Sequence, residues 1–162
     1  MTYRTFREAL ERFLGHGGAA RELADTYWEL FCNSCHFEPG ARETLGYVSG
    51  KYRLGLVTNG YGEAQRKRLK ACGIDGYFDA LVISDEVGVW KPDPRIFSLA
   101  LGELSVPKER VLFVGDSIGD DYYGAVRAGI DFCFYNRDGA ETGGDIRPKH
   151  EIRDLRELRD LL

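Results

Sequence analysis

The sequence predicts an α/β fold in which helices cover both faces of a parallel sheet, preceded by a wholly helical piece. Four short apolar runs carry the prediction: "RLGLVT" (53–58), "ALVIS" (80–84), "VLFVG" (111–115) and "DFCFYN" (131–136). Each is short enough and apolar enough to be a strand buried on both faces. Helical segments at about 62–72, 94–104 and 121–128 separate these runs, and another follows at about 151–162. That alternation defines βαβ units. The first forty or so residues contain no such run.

The helical piece opens with Tyr3, Phe6, Leu10, Phe13 and Leu14 at helical spacing over residues 3–14. "HGG" (16–18) breaks the pattern, and Leu23, Tyr27, Leu30 and Phe31 resume it. Pro39-Gly40 closes this section, and a third helix is expected from about Ala41 to Val48. The expected division is therefore residues 1–38 as a helical piece and 39–162 as the α/β core. "RDGAETGGD" (137–145) reads as a loop, and no internal repeat is evident.

At 162 residues and 43% hydrophobic, the chain can bury one respectable core. Its formal charge of −4, from 22 basic and 26 acidic residues, leaves no basic footprint for nucleic acid. No apolar run approaches the roughly 20 residues of a membrane span. The opening "MTYRTFREALERF" is amphipathic and lacks the apolar centre of a secretory signal. These features predict a cytoplasmic protein with neither membrane nor nucleic-acid partners, and hence reduced cysteines. "CNSCH" (Cys32–His36) matches a haem-attachment pattern and offers three zinc-type ligands. With no export signal and no second C-x-x-C, its cysteines read as small packing residues.

Ligands of open α/β sheets bind beyond the carboxyl ends of the strands. The first run ends in Thr58-Asn59-Gly60, whose hydroxyl, amide and backbone N–H groups suit a phosphate, or equally a helix cap and tight turn. The second leads to "SDEVGVWKPDPRIF", where a double-proline frame holds Lys91, a cation that can face a phosphoryl group or screen carboxylates. The third leads into "VLFVGDSIGDDYYGA", with Asp116, Asp120 and Asp121 within six positions. One of the latter two suits the positive end of the following helix. Asp116, directly after the strand, is better explained as a hard oxygen ligand for Mg²⁺.

In this order, "LVTNG", "KPDPRIF" and "VGDSIGDD" closely resemble the second, third and fourth motifs of the haloacid dehalogenase (HAD) superfamily. "VISDEVGVWKPDPRIF" is similar to the branch that contains small-metabolite and pyrimidine nucleotide phosphatases. The resemblance covers about residues 38–162 and implies a three-layer, Rossmann-like core, with residues 1–38 as part of a helical cap. It implies that Thr58 and Asn59, with Gly60, contact the transferred phosphoryl group and that Lys91 stabilises it. It further implies that Asp116 ligates Mg²⁺ and that Asp121 supports the metal or Lys91. Asp120 occupies a position often taken by Asn.

The family's first motif, a D-x-D stretch bearing the nucleophile, has no match here. The nearest candidate, "FCFYNRDG" (132–139), has Asn136 where the nucleophile would stand. The expectation is a Mg²⁺-dependent phosphatase for a small phosphorylated substrate, truncated and inactive as it stands. The alternatives are a haloacid dehalogenase-like hydrolase, or a non-catalytic protein that binds phosphate or Mg²⁺. In the family, the strand bearing the first motif lies between those ending at Thr58 and Asp116. Without it, those two strands should pair directly, or a partner chain should fill the gap, or the chain should be unstable.

Overall fold

The computed structural model describes residues 3–162, which fall into two compact units. The first contains residues up to 36 together with 63–73, and the second contains 37–62 and 74–162.

The first unit is helical. Helix α1 (Tyr3–Leu14) and helix α2 (Ala20–Asn33) pack through aromatic side chains, with the Phe6 and Tyr27 rings 5.7 Å apart. Helix α4 (Gly62–Cys72) belongs here from Glu63 onward, and its Arg68 guanidinium lies 5.0 Å from the Phe31 ring centroid. Exposed pairs at i,i+4 spacing, Arg4–Glu8, Arg7–Glu11 and Glu63–Lys67, support the helices. Among the described residues, the buried apolar core of this unit is small, namely Ala20, Cys32, Ala64 and Leu69. The cysteines depart from expectation: Cys35 and Cys72 form a disulfide, while Cys32 and Cys133 are buried free thiols. Pairing across 37 positions depends on where the fold brings α2 and α4, which no local pattern announces.

The second unit holds the α/β core. After helix α3 (Ala41–Ser49), strand β1 (Gly55–Thr58) pairs in parallel with β2 (Ala80–Ile83), Gly55 opposite Ala80 and Thr58 opposite Ile83. Strand β3 (Leu112–Gly115) pairs in parallel with β4 (Asp131–Tyr135), and β4 pairs with β5 (His150–Ile152). The short helix α5 (Ser84–Val87) and helix α6 (Pro94–Leu104) connect β2 to β3. A π-turn over Ile118–Tyr122 and helix α7 (Tyr123–Ala128) connect β3 to β4. Pro94 stands at the first turn of α6, and the Asp93 carboxylate accepts from the Arg95 N–H as its cap.

Side chains of β4 alternate between two cores, as the period of a strand requires. Phe132 and Phe134 join Val57, Val82, Ile96, Phe97 and Tyr122 on one face. Cys133 joins Ile152 and Leu158 on the other. Gly124 lets α7 approach α6 closely, because a Cβ there would lie 2.4 Å from the Phe97 ring.

One expectation needs correction. The expected helix at 151–162 begins instead as β5, because Ile152 is buried against β4 and its neighbours complete the ladder. The helix α8 (Leu158–Leu161) follows a capping box formed by Asp154 and Glu157. Of the three alternatives expected for the strands ending at Thr58 and Asp116, direct pairing is not the one observed. The strands form two separate sheets, β1-β2 and β3-β4-β5, and among the described residues neither β1 nor β3 has a second strand neighbour. No described helix is long and apolar enough to cross a membrane.

Candidate active site

The strand ends at Thr58, Ile83 and Gly115 feed three loops that meet around Lys91. Asn59 reaches it first. Its Oδ1 accepts from the Lys91 backbone N–H at 2.9 Å, and its Nδ2 donates to the Lys91 carbonyl at 3.1 Å. An amide side chain suits this task because it is donor and acceptor at once. The Lys91–Pro92 peptide bond that follows is cis.

From that anchored backbone, Lys91 Nζ donates to Asp121 Oδ1 at 2.7 Å. Both side chains are largely buried, 13% exposed for Lys91 and 5% for Asp121. The ammonium also lies 5.9 Å from the centroid of Phe113 on β3, within range of a cation–π attraction. Lys91 therefore links the loop after β2 to β3 and its π-turn. The second oxygen of Asp121, Oδ2, accepts from the Ser117 N–H at 3.1 Å. Gly115 makes this possible, since a Cβ there would lie 2.5 Å from that same oxygen.

The remaining residues surround this pair. Thr58 Oγ1 donates to the Asn59 carbonyl at 3.4 Å, and the Gly60 N–H donates to Ser84 Oγ at 3.0 Å. Ser84 is fully buried, and Asp85 Oδ2 accepts from the Gly62 N–H, so the loop after β1 is tied to the start of α5. Asp116 is exposed at the end of β3 and has no hydrogen-bond partner among the described residues. Asp120 donates its backbone N–H to Ser117 Oγ, which caps the turn.

Three contributors were not singled out in the sequence: Ser84, Asp85 and Ser117. All three stand at or near the carboxyl ends of apolar runs, and that position is the signal that could have found them.

For Mg²⁺, the donor type is right and the number is short. Asp116 offers hard carboxylate oxygens, whereas both Asp121 oxygens already accept from protein donors. Among the described residues no group of three ligating side chains is assembled.

A largely buried lysine–carboxylate pair, a hydroxyl-bearing loop and an exposed aspartate thus stand together at the carboxyl ends of the strands. The chain belongs to the family of haloacid dehalogenase-like hydrolases, which matches over residues 3–135. It is 37% identical to the pyrimidine 5'-nucleotidase YjjG of Escherichia coli over 142 residues, 87% of this chain and 63% of that protein. It is 36% identical to a phosphoserine phosphatase of Thermus thermophilus over 159 residues, 96% of this chain and 62% of that protein. Among solved structures, the HAD-hydrolase YfnB of Bacillus subtilis, bound to magnesium, superposes with a TM-score of 0.84. That match has 28% identity and covers all of this chain and 73% of the other. The chain thus spans less than two thirds of the length of these two enzymes.

Proposed function

We propose that this chain carries the phosphate-holding half of a phosphomonoester hydrolase acting on a small phosphorylated metabolite or nucleotide. The observation that carries this reading is the Asn59–Lys91–Asp121 network at the strand ends. Its parts divide the work. Lys91 offers its ammonium to the phosphoryl oxygens, and Asp121 and Asn59 hold that ammonium and its backbone in place. Thr58 and the loop through Gly60 line the other side of the phosphoryl group. Asp116 would hold Mg²⁺ with waters and substrate oxygens completing its shell, and the metal would neutralise phosphoryl charge.

Positioning and charge compensation do not by themselves break a phosphoester along the family's route. A carboxylate must attack phosphorus. None of the three matched loops supplies one, since Asp121 holds Lys91 and Asp116 is assigned to the metal. We place the missing carboxylate on an extended segment between β1 and β3, whether from the same polypeptide or a partner chain. Burial supports this position. Strand β2 and the doubly paired β4 are mostly buried, whereas every residue of β3 is half-exposed and three of the four in β1 are half-exposed or exposed. In a doubly wound sheet the central strands are normally the better covered.

Calorimetry with Mg²⁺ and inorganic phosphate, set beside hydrolysis of p-nitrophenyl phosphate, tests the reading. Phosphate should bind the wild type and fail to bind Lys91→Ala, and neither protein alone should turn over. Absence of phosphate binding would overturn the function. Mg²⁺-dependent turnover by the purified chain would overturn the need for a further carboxylate.

A further inference from the structure

The four cysteines fall into two chemical classes. Cys32 and Cys133 are free and almost wholly buried, and burial pushes the Cys133 thiol up to about 11. Thiols so placed are inert in the folded protein. Cys35 and Cys72 are bonded to one another, with Cα atoms 5.1 Å apart, and both are only half-buried. Cys35 lies two residues beyond the end of α2, and Cys72 is the last residue of α4. Helix ends open at low cost, so a solvent thiol can reach this bond.

Two further observations give the bond a task. Among the described residues, the unit it staples has a core of four buried apolar residues, Ala20, Cys32, Ala64 and Leu69, and cores that small lean on cross-links. The segment it encloses, 36–71, contains α3, β1, the Thr58-Asn59-Gly60 loop and nearly all of α4. Asn59, which clamps the Lys91 backbone, therefore sits in the closed loop.

We propose that Cys35–Cys72 is a reversible thiol–disulfide clasp that sets the order of segment 36–71 and of the loop at 58–60. Closure uses a small-molecule disulfide as oxidant. One cysteine thiolate attacks it and expels a small thiolate, forming a mixed disulfide. The second cysteine then displaces the remaining small thiol. Two electrons leave the protein, and the two cysteine protons end on the two released thiols. Opening is the reverse, with the small thiol as reductant.

The full chain, equilibrated in glutathione buffers from reducing to oxidising, tests the clasp. Alkylation under native conditions followed by mass analysis should label two sites when reduced, Cys35 and Cys72, and none when oxidised. Cys32 and Cys133 should react only after denaturation. Amide exchange across 41–71 should be about tenfold or more faster in the reduced state. The Cys35→Ser, Cys72→Ser double variant should match reduced wild type and ignore the buffer. Should that variant fail to fold, reduced wild type supplies the same comparison. A pair that never closes at any glutathione ratio, or exchange across 41–71 that is equal in both states, would overturn the proposal. Phosphate affinity read in the same buffers separates the two readings. Its absence in both redox states counts against the hydrolase function, and the exchange data still decide the clasp.

Discussion

Gly115→Ala adds a single methyl group at the end of β3, and the structure assigns it a large cost. The new Cβ would lie 2.5 Å from Asp121 Oδ2, 2.6 Å from its Cγ and 2.7 Å from its Cβ. Rotating the carboxylate away does not relieve the contact with the Asp121 Cβ, so the π-turn over Ile118–Tyr122 must also shift. That movement pulls Asp121 from Lys91 Nζ and from the Ser117 N–H, now 2.7 and 3.1 Å away. Overpacking alone costs about 1–3 kcal/mol. Separating a largely buried ion pair costs about 3–5 kcal/mol, because each charge is left without its partner. The two effects overlap, since one displacement relieves the first and causes the second, and a net loss of about 3–5 kcal/mol is expected. Urea unfolding followed by circular dichroism measures it, and Asp121→Ala and the double variant complete a cycle. In the Asp121→Ala background the Cβ contact remains but no ion pair is left to separate, so the methyl should cost only the overpacking of about 1–3 kcal/mol, with a coupling of at least about 1.5 kcal/mol. A Gly115→Ala cost below about 1 kcal/mol, or simple additivity, would show that Gly115 is not what admits the Asp121 carboxylate.

Asp116→Ala should abolish Mg²⁺ binding in calorimetry while Asp120→Ala changes it modestly, and equal losses would remove Asp116 from its special place. Asn59→Ala takes away both hydrogen bonds to the Lys91 backbone and should weaken phosphate binding about tenfold, with Asn59→Asp between it and wild type. Unaltered affinity in Asn59→Ala would mean that Lys91 holds its position without help. The side-chain and backbone hydrogen bonds from Arg95 lower the Asp93 carboxyl from 3.8 to about 2. Its folded-state value lies below the unfolded one, so its contribution to stability is complete above 3.8 and is lost as pH falls towards 2. Urea midpoints for wild type and Asp93→Asn should therefore converge over that interval, and a gap that persists at pH 2 contradicts the cap.

The parts of the fold legible in sequence are those fixed by short-range pattern. The runs at 53–58, 80–84, 111–115 and 131–136 contain β1 to β4, and Pro94 marks the start of α6, because burial on both faces and a fixed proline φ leave local traces. What escaped depends on distant residues. β5 is three residues long and is a strand only because β4 offers it an edge. Cys35 and Cys72 are paired by the placement of two helices, and nothing in "CNSCH" points to position 72. Motif spacing brought Thr58, Asn59, Lys91, Asp116 and Asp121 to one end of the α/β core. It did not show that Asn59 faces the Lys91 backbone, or that Ser84 takes the Gly60 N–H.

Those hidden partners change how the site is understood. Read as a string, the loops offer a hydroxyl, an amide, an ammonium and three carboxylates to a ligand. In the fold, the hydroxyl, the amide, the ammonium and Asp121 are engaged within the protein, while the Asp116 and Asp120 carboxylates have no described partner and Asp116 is the more exposed of the two. The arrangement is costly to leave half-made, since a buried Lys91 without Asp121, or the reverse, strands a charge. It is useful when complete, because donors fixed beforehand need no reorganisation when phosphoryl charge arrives. Lys91 already crosses from the loop after β2 to Asp121 beyond β3, while the β1 and β3 edges carry no second strand among the described residues. A strand laid between those edges would complete both ladders and bring its carboxyl end beside Lys91 with no change to the network.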